Sequence, residues 1–259
     1  MEGLTVSAFD LTGKKALVTG ASRGIGQAIA VALAQAGADV ALLARTEEGL
    51  AATAKQVTGC GREAVVIPAD VTTQETVEPA VNSAIDALGQ LDIIVNNAGG
   101  SNFAVPFLDL RLSGWHKLIR LNLDSAMYVC HAAGPHLVSR GTGSVINVAS
   151  VAGLVGAPFL SPYGAAKAGL ISLTKSLAVE WAVLGVRVNA LCPGWTATDL
   201  NRNLWEDETA GQATVATVPM QRWGRPEEMT GPAVFLASDA SSYMTGQVLV
   251  IDGGQTALA

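Results

Sequence analysis

The sequence predicts a single α/β domain: a doubly wound parallel sheet with helices on both faces. Three observations carry that prediction. A short apolar run, Lys15–Thr19, passes through the glycine-rich segment TGASRGIG into a helical apolar pattern. Apolar runs of strand length then alternate with helical patterns to the end of the chain, seven strands in all. About half of the 259 residues are apolar and 28 are glycine, which suits strands buried on both faces and joined by close turns. No shift in composition divides the chain, so residues 1–259 are read as one domain.

The first helix runs to Gly37, with Ile25, Ile29, Ala32, Leu33 and Ala36 at the spacing that lays one face on a sheet. Ahead of it, Gly20, Gly24 and Gly26 let the backbone turn tightly and approach a pyrophosphate. Ser22, Arg23 and Ile25 belong to the same anion-binding turn, at a helix N-terminus whose free N–H groups and dipole favour negative charge. The spacing is Gly-x-x-x-Gly-x-Gly, and its place between a strand and a helix is what makes it informative.

The second strand, Asp39–Ala44, ends where a dinucleotide site would carry an acid for the adenosine ribose hydroxyls. Here Ala44 stands at that position and Arg45 follows. With Arg23, that makes two guanidiniums and no carboxylate, a pattern that selects the 2′-phosphate of NADP(H).

The alternation continues with strand Glu63–Pro68, a helix over about Thr73–Leu88, strand Leu91–Asn96, a helix, and strand Ser144–Val148. Asp70 and the run Asn96-Asn97-Ala98-Gly99 fall at carboxyl ends of strands, where such sheets bind ligands. The next helix, Ser161–Gly185, starts on Ser-Pro, read as a side-chain cap with proline in the first turn, and stops at glycine. Strand Val186–Leu191, a helix over about Pro226–Leu236 and strand Val248–Ile251 complete the series.

Tyr163 and Lys167 stand four residues apart, so both project from one face of their helix. An ammonium beside a phenol favours the phenolate, so Tyr163 is expected to titrate below its free value of about 10 and to act as acid or base near neutral pH. Ser150 closes the buried run SVINVAS, thirteen residues before Tyr163. The polar, weakly periodic stretch Trp195–Met220 is too long for an idle connection and is read as a lid over substrate. Trp195, Leu204 and Trp205 would give it an apolar inner face, joined by Leu154 and Phe159 from the loop before Tyr163.

A net charge of −6 argues against nucleic acid or an anionic membrane as partner. Cys60, Cys130 and Cys192 lack metal-ligand spacing, so no metal is expected and the thiols are read as free in a reducing cytoplasm. No signal peptide is evident, and no apolar run approaches the ~20 residues that span a bilayer. His116, His131 and His136 have no ligand partners and are read as packing or surface residues.

Taken in order, TGASRGIG, Asp70-Val71, NNAG, Asn122 in LNLDSA, Ser150, YGAAK from Tyr163, Asn189 in RVNALCPG, and Pro193-Gly194 mark the chain as similar to short-chain dehydrogenases/reductases over essentially its whole length. The resemblance implies a Rossmann fold and an oxidoreductase interconverting a ketone and a secondary alcohol. It implies Tyr163 as acid/base, Ser150 as holder of the carbonyl oxygen, and Lys167 as the group that lowers the Tyr163 pKa and binds the nicotinamide ribose. Asn122 would hold a water in a proton relay. Asp70 and Val71 would contact the adenine and Asn96 would lie beside the adenosine ribose, with Ala98 and Gly99 following. Pro193, Gly194 and Thr196 would border the nicotinamide.

Within the family, the chain most resembles 3-oxoacyl-(acyl carrier protein) reductases, whose ketone is carrier-bound. The segment AVEWAVLGVRVNALCPG also resembles gluconate 5-dehydrogenase-like sugar-acid enzymes. The resemblance further implies a homotetramer. A second class, a nucleotide-sensing or scaffold protein without turnover, is opposed by the intact set Asn122, Ser150, Tyr163 and Lys167.

Overall fold

A computed structural model of the protein describes residues 6–258. Seven strands form one parallel sheet: β1 (Lys15–Thr19), β2 (Asp39–Ala44), β3 (Ala64–Pro68), β4 (Ile93–Asn96), β5 (Gly143–Val148), β6 (Val186–Pro193) and β7 (Val248–Ile251). Their order is β3-β2-β1-β4-β5-β6-β7. The chain winds outward from β1, crosses back to β4, and winds out the other way. That reversal opens a crevice beyond the carboxyl ends of β1 and β4, where the following loops diverge.

The helices are α1 (Gly24–Gln35), α2 (Glu47–Gly59), α3 (Gln74–Leu88), α4 (Leu112–Ile119), α5 (Ser125–Arg140), α6 (Ser161–Ala182), α7 (Arg202–Trp205), α8 (Glu208–Val215) and α9 (Thr230–Ala237). Successive strand residues point to opposite faces, so each apolar run feeds two cores. Ala16, Val18, Val40 and Leu42 meet α1, α2 and α9 on one face. Leu17, Ala41, Leu43 and Ile94 meet α3, α5 and α6 on the other. Covered on both sides, the central strands read as near-continuous apolar runs, and the polar residues they carry, such as Asn96, Asn147 and Asn189, are hydrogen-bonded inside.

Several boundaries differ from expectation for visible reasons. Leu91 lies outside β4 because its N–H is given to His136 Nε2 at 3.0 Å. Ser161 does not cap α6; Leu160 occupies the cap position and Ser161 is already helical, with Pro162 in the first turn. The helix stops at Ala182, and Gly185 then adopts φ +79°, where a Cβ would lie 2.1 Å from Gly141 O. Only glycine fits that turn. The stretch expected as one helix from Pro226 splits into a 3-10 turn, Pro226–Met229, and α9. Between β4 and β5 the chain forms α4 and α5 joined by one π-helical turn, Arg120–Asp124. The stretch Trp195–Met220 is largely helical: a 3-10 turn at Asp199–Asn201, then α7 and α8.

Candidate active site

The carboxyl ends of β4, β5 and β6 converge on the first turns of α6. Beyond β5, Ser150 is extended and its Oγ accepts the Ala152 N–H at 3.2 Å, capping the turn Val151–Gly153. That turn is pressed against α6: a Cβ on Gly153 would lie 2.7 Å from the Lys167 carbonyl carbon. Lys167 is 3% exposed. Its Nζ donates to Val148 O at 2.8 Å and stands 5.7 Å from the centre of the Tyr163 ring.

Asn122 sits in the π turn, where one extra residue rotates its side chain inward. Its Nδ2 donates to Leu118 O at 3.0 Å and Gly100 O at 2.9 Å, and its Oδ1 accepts the Gly100 N–H at 2.7 Å. The side chain thus satisfies a carbonyl that the widened turn releases. A Cβ on Gly99 would lie 2.7 Å from Asn122 Oδ1 and 3.1 Å from Lys167 Nζ. Gly99 therefore lets Asn122 and Lys167 face one space.

The protonation pattern reverses the expectation for Tyr163. Burial pushes the phenol up, and the Ser150 side chain pulls it back only in part. Burial likewise pushes Lys167 down to about 8. The Lys167 Nζ is hydrogen-bonded to Val148 O and lies 5.7 Å from the Tyr163 ring centre, and desolvation of the buried phenol is the larger effect. At neutral pH Tyr163 is a phenol, set as a proton donor. Cys192 is fully buried and its thiol is pushed up to about 11 by burial, so it stays neutral and unactivated.

At the other end of the crevice the glycine turn is shaped by what its side chains would strike. A Cβ on Gly20, at φ +62°, would meet Ala98 Cα and Asn97 Nδ2 at 2.9 Å. One on Gly26 would meet Asn97 Nδ2 at 2.2 Å and Gly20 O at 2.3 Å. Gly24, at φ +57°, faces open space with Thr198 as its nearest neighbour at 3.5 Å. Thr19 and Asn97 lock this geometry. Thr19 Oγ1 accepts the Asn97 and Ala98 N–H groups at 3.0 Å, and Asn97 Nδ2 donates to Thr19 O and Gly20 O at 3.0 and 3.2 Å.

Arg23 and Arg45 are exposed and form no ion pair among the described residues. Ser22 and Ile25 are half-buried in the same turn. Parallel pairing of β1 with β2 sets the turns holding Arg23 and Arg45 side by side, with Ala21 N–H donated to Leu43 O. Asp70 Oδ1 accepts from Thr72 N and Oγ1 at 2.9 and 2.7 Å, and the Val71 side chain is buried in the core. Asn96 departs from expectation: its side chain turns inward, with Nδ2 donating to Asn147 Oδ1 at 2.9 Å, and Asn147 in turn donating to Thr174 Oγ1. It ties β4 to β5 and α6 instead of pointing at a ribose.

Beyond β6, Gly194 packs so closely on Asp252 that a Cβ would lie 2.7 Å from its Cα. Thr196 is 6% exposed, and its neighbours Trp195 and Ala197 exchange backbone hydrogen bonds with Gly224. That bridge closes the stretch into a loop, and Arg222, held on Glu228 by two hydrogen bonds of 2.8 and 2.6 Å, braces its exit. The same contacts hold the Glu228 carboxyl down to about 2.

Trp195 packs edge-on against Trp223, ring centres 5.6 Å apart. Trp205 differs from its expected place: Nε1 donates to Thr198 O at 2.9 Å, and the ring lines a groove of about 460 Å³ beside Gly24 and Ala28 of α1. Leu154 and Phe159 are 42% and 58% exposed on the loop leading to Tyr163, and Leu204 is half-buried.

Four residues were not singled out from sequence. Thr19 and Asn97 carry the turn's hydrogen bonds. Thr198 lies over Gly24, and Leu200 reaches Gly100, where a Cβ would be 2.3 Å from its Cδ2. Thr19 and Asn97 lay within motifs already noted; Thr198 and Leu200 left no spacing signal, because their partners Gly24 and Gly100 are distant in the chain.

Residues 20–256 match the family model described as enoyl-(acyl carrier protein) reductase. Over 248 residues the chain is 39% identical to the gluconate 5-dehydrogenase of Gluconobacter oxydans, covering 96% of both chains. It is also 39% identical to a 3-oxoacyl-[acyl-carrier-protein] reductase of Synechocystis, covering 94% of this chain and 97% of that one. The crystal structure of a gluconate 5-dehydrogenase from Burkholderia cenocepacia in complex with NADP and tartrate matches with a TM-score of 0.93 at 38% identity, over 98% of this chain and 99% of that one. Matches of this extent, joined to a parallel sheet whose β4, β5 and β6 ends gather Asn122, Ser150, Tyr163 and Lys167, place the chain in the short-chain dehydrogenase/reductase family.

Proposed function

We propose that the protein is an NADPH-dependent oxidoreductase that reduces a ketone to a secondary alcohol or runs the reverse reaction. The observation that carries this reading is the gathering of a Tyr163 phenol, the Ser150 hydroxyl, the Lys167 ammonium and Asn122 at one end of a crevice whose other end is a glycine cradle. The residues fit a dinucleotide. Gly20, Gly26 and Gly99 let the backbone pack tightly where a Cβ would strike Ala98, Gly20 O or Asn122, Gly24 has no neighbour closer than 3.5 Å, and the α1 N-terminus offers free N–H groups to a pyrophosphate. Arg23 and Arg45 are the unpaired cations for a 2′-phosphate. Bound NADPH supplies the hydride.

The chain's own part is position and proton. Ser150 donates to the carbonyl oxygen and holds it within reach of Tyr163, which gives that oxygen its proton. Lys167 hydrogen-bonds the nicotinamide ribose hydroxyls from its place beside Gly99, and Asn122 holds a water that returns a proton toward Lys167. The backbone from Pro193 to Thr196 borders the nicotinamide, and Ala98 follows the ribose. Asp70 and the Val71 backbone hold the adenine. The stretch 195–220 is the lid, rooted by Thr198 over Gly24 and Leu200 against Gly100. Residues 1–259 act as one domain. Val179 and Val183, 80% and 89% exposed on α6, suit burial against a second copy in a homotetramer. The reading favours a 3-oxoacyl-type ketone, with a sugar-acid dehydrogenase as the second reading on the strength of the gluconate relatives. Among the described residues, no helix is long and apolar enough to cross a membrane.

The test is NADPH oxidation over a panel of ketones with wild type and Tyr163→Phe. The variant should bind NADPH normally and turn over at least about a hundredfold more slowly. Wild type should prefer NADPH to NADH by at least about tenfold in kcat/KM. A Tyr163→Phe enzyme with near-normal kcat refutes the assignment.

A further inference from the structure

We infer that the substrate is a ketone with an uncharged, apolar body, and that small carboxylate anions such as sugar acids are poor substrates. The inference rests on the proposed function and narrows it. Its first support is a pattern of missing charge. No Asp, Glu, Lys or Arg occurs from Ile93 to Leu108, from Gly141 to Ala166, or from Val188 to Thr198. These stretches are β4 with its loop, β5 with its loop and the first turn of α6, and β6 with the root of the lid. They are the three walls around Ser150 and Tyr163.

The second support is what those walls present instead. Leu154, Val155 and Phe159 are exposed on the loop between Ser150 and Tyr163. Phe159 adopts φ +65°, a backbone conformation that disfavours a side chain of its size, and its carbonyl accepts the Val105 N–H at 2.9 Å. That bond ties the loop to the neighbouring wall, where Phe107 is 68% exposed. Exposed apolar groups on two walls of one mouth suit an apolar ligand.

The third support is that the nearby cations are engaged. Lys167 is buried on Val148 O. Arg202 of the lid is paired with both Asp199 and Glu206, and Arg222 is held by Glu228. The lid stretch 195–220 carries four acids, Asp199, Glu206, Asp207 and Glu208, against that one arginine. Arg23 and Arg45 lie at the far, nucleotide end. A substrate carboxylate entering this mouth would lose water and find no cation in exchange.

A matched pair of probes tests this: para-acetylbenzoate and its methyl ester, which differ in charge and share one aryl ketone. Calorimetry on the protein saturated with NADP⁺ reads binding without turnover. The ester should bind at least about tenfold more tightly than the acid, the scale of one missing charged hydrogen bond. Leu154→Arg, which sets a cation in the mouth, should narrow that gap by strengthening the acid. Equal affinity for the two probes, including no measurable binding of either, overturns the inference. So does tighter binding of the acid. The function itself is judged separately, by whether ester-dependent NADPH oxidation is lost in Tyr163→Phe, so the two readings can fail independently.

Discussion

Replacing Lys167 by methionine should make the protein more stable and nearly inactive. Lys167 is 3% exposed, and burial lowers its pKa from 10.5 to about 8. At about 1.4 kcal/mol per pKa unit, that drop means the folded chain carries a desolvation cost of about 3 kcal/mol for the ammonium. The charged hydrogen bond to Val148 O offsets about 1.5–3 kcal/mol of what the substitution would gain. Methionine has a similar reach and no charge, so the net gain at pH 7 is up to about 1.5 kcal/mol, or up to about 6 °C in Tm for a chain of this size.

The pH dependence separates this cause from better packing. The folded-state pKa lies below the unfolded one, so the cost is fully present below about pH 8 and disappears as pH rises towards 10.5. Differential scanning calorimetry of wild type and Lys167→Met at pH 7, 8.5 and 10 follows it directly. The variant's advantage should shrink across that series, while ketone reduction is down at least about a hundredfold throughout. A variant that melts below wild type at pH 7, or whose advantage does not change with pH, refutes the reasoning.

Three further outcomes are expected. Gly26→Ala drives a Cβ into Gly20 O and Asn97 Nδ2 at 2.3 and 2.2 Å, and should cost about 2–3 kcal/mol and abolish NADPH binding. Gly24→Ala meets nothing closer than 3.5 Å and bears only the φ +57° cost of about 1–2 kcal/mol; thermal melts and NADPH titration of the pair should rank them in that order. His136 accepts the Leu91 N–H through Nε2, and burial, then Arg140, lower its pKa. Protonation therefore costs stability as pH falls below 6.5, and His136→Gln, which keeps an acceptor, should flatten melting temperature against pH in that range. Ketone reduction should hold steady through neutrality and decline above about pH 8 as Lys167 loses its charge, while alcohol oxidation rises with pH because it needs the phenolate. Parallel pH–rate profiles in the two directions would count against the assigned roles.

Much of this architecture was legible in the sequence because the sheet is covered on both faces. Runs such as Val40–Leu43, all fully buried, leave continuous apolar stretches, and the glycines at Gly20 and Gly26 mark places where a side chain strikes backbone. What was not legible depends on pairs far apart in the chain. Leu91 leaves its strand because of His136, and Asn96 turns inward because Asn147 receives it. The π turn at Asn122 adds one residue to a helical phase that periodicity alone cannot resolve. Trp205 was misplaced because an indole in a polar stretch reads as an apolar cover, whereas its N–H is claimed by Thr198 O. The Tyr163 pKa was misjudged because spacing reveals a neighbouring charge and does not reveal how deeply both groups are buried.

The two halves of the site are built by opposite means, and the fold explains why both are tolerated. The nucleotide half is made by omission: at Gly20, Gly26 and Gly99 a Cβ would strike neighbouring protein atoms, so the backbone closes up there, and side-chain hydrogen bonds accepted by Thr19 Oγ1 and donated by Asn97 Nδ2 hold the turn in shape. The catalytic half is made by burying what water would prefer to keep, an ammonium at Lys167 and an amide at Asn122. Such groups persist only where the surroundings over-determine them. Here they stand at the ends of β4, β5 and β6, whose Ile94, Val95, Val145, Ile146, Val188 and Ala190 are fully buried. The sheet interior offsets a local cost of about 3 kcal/mol at Lys167, and it places that cost where the strand ends must bring a proton donor to a carbonyl. Relaxing it would stabilise the protein and silence the chemistry, the usual relation between a strained site and the scaffold that holds it.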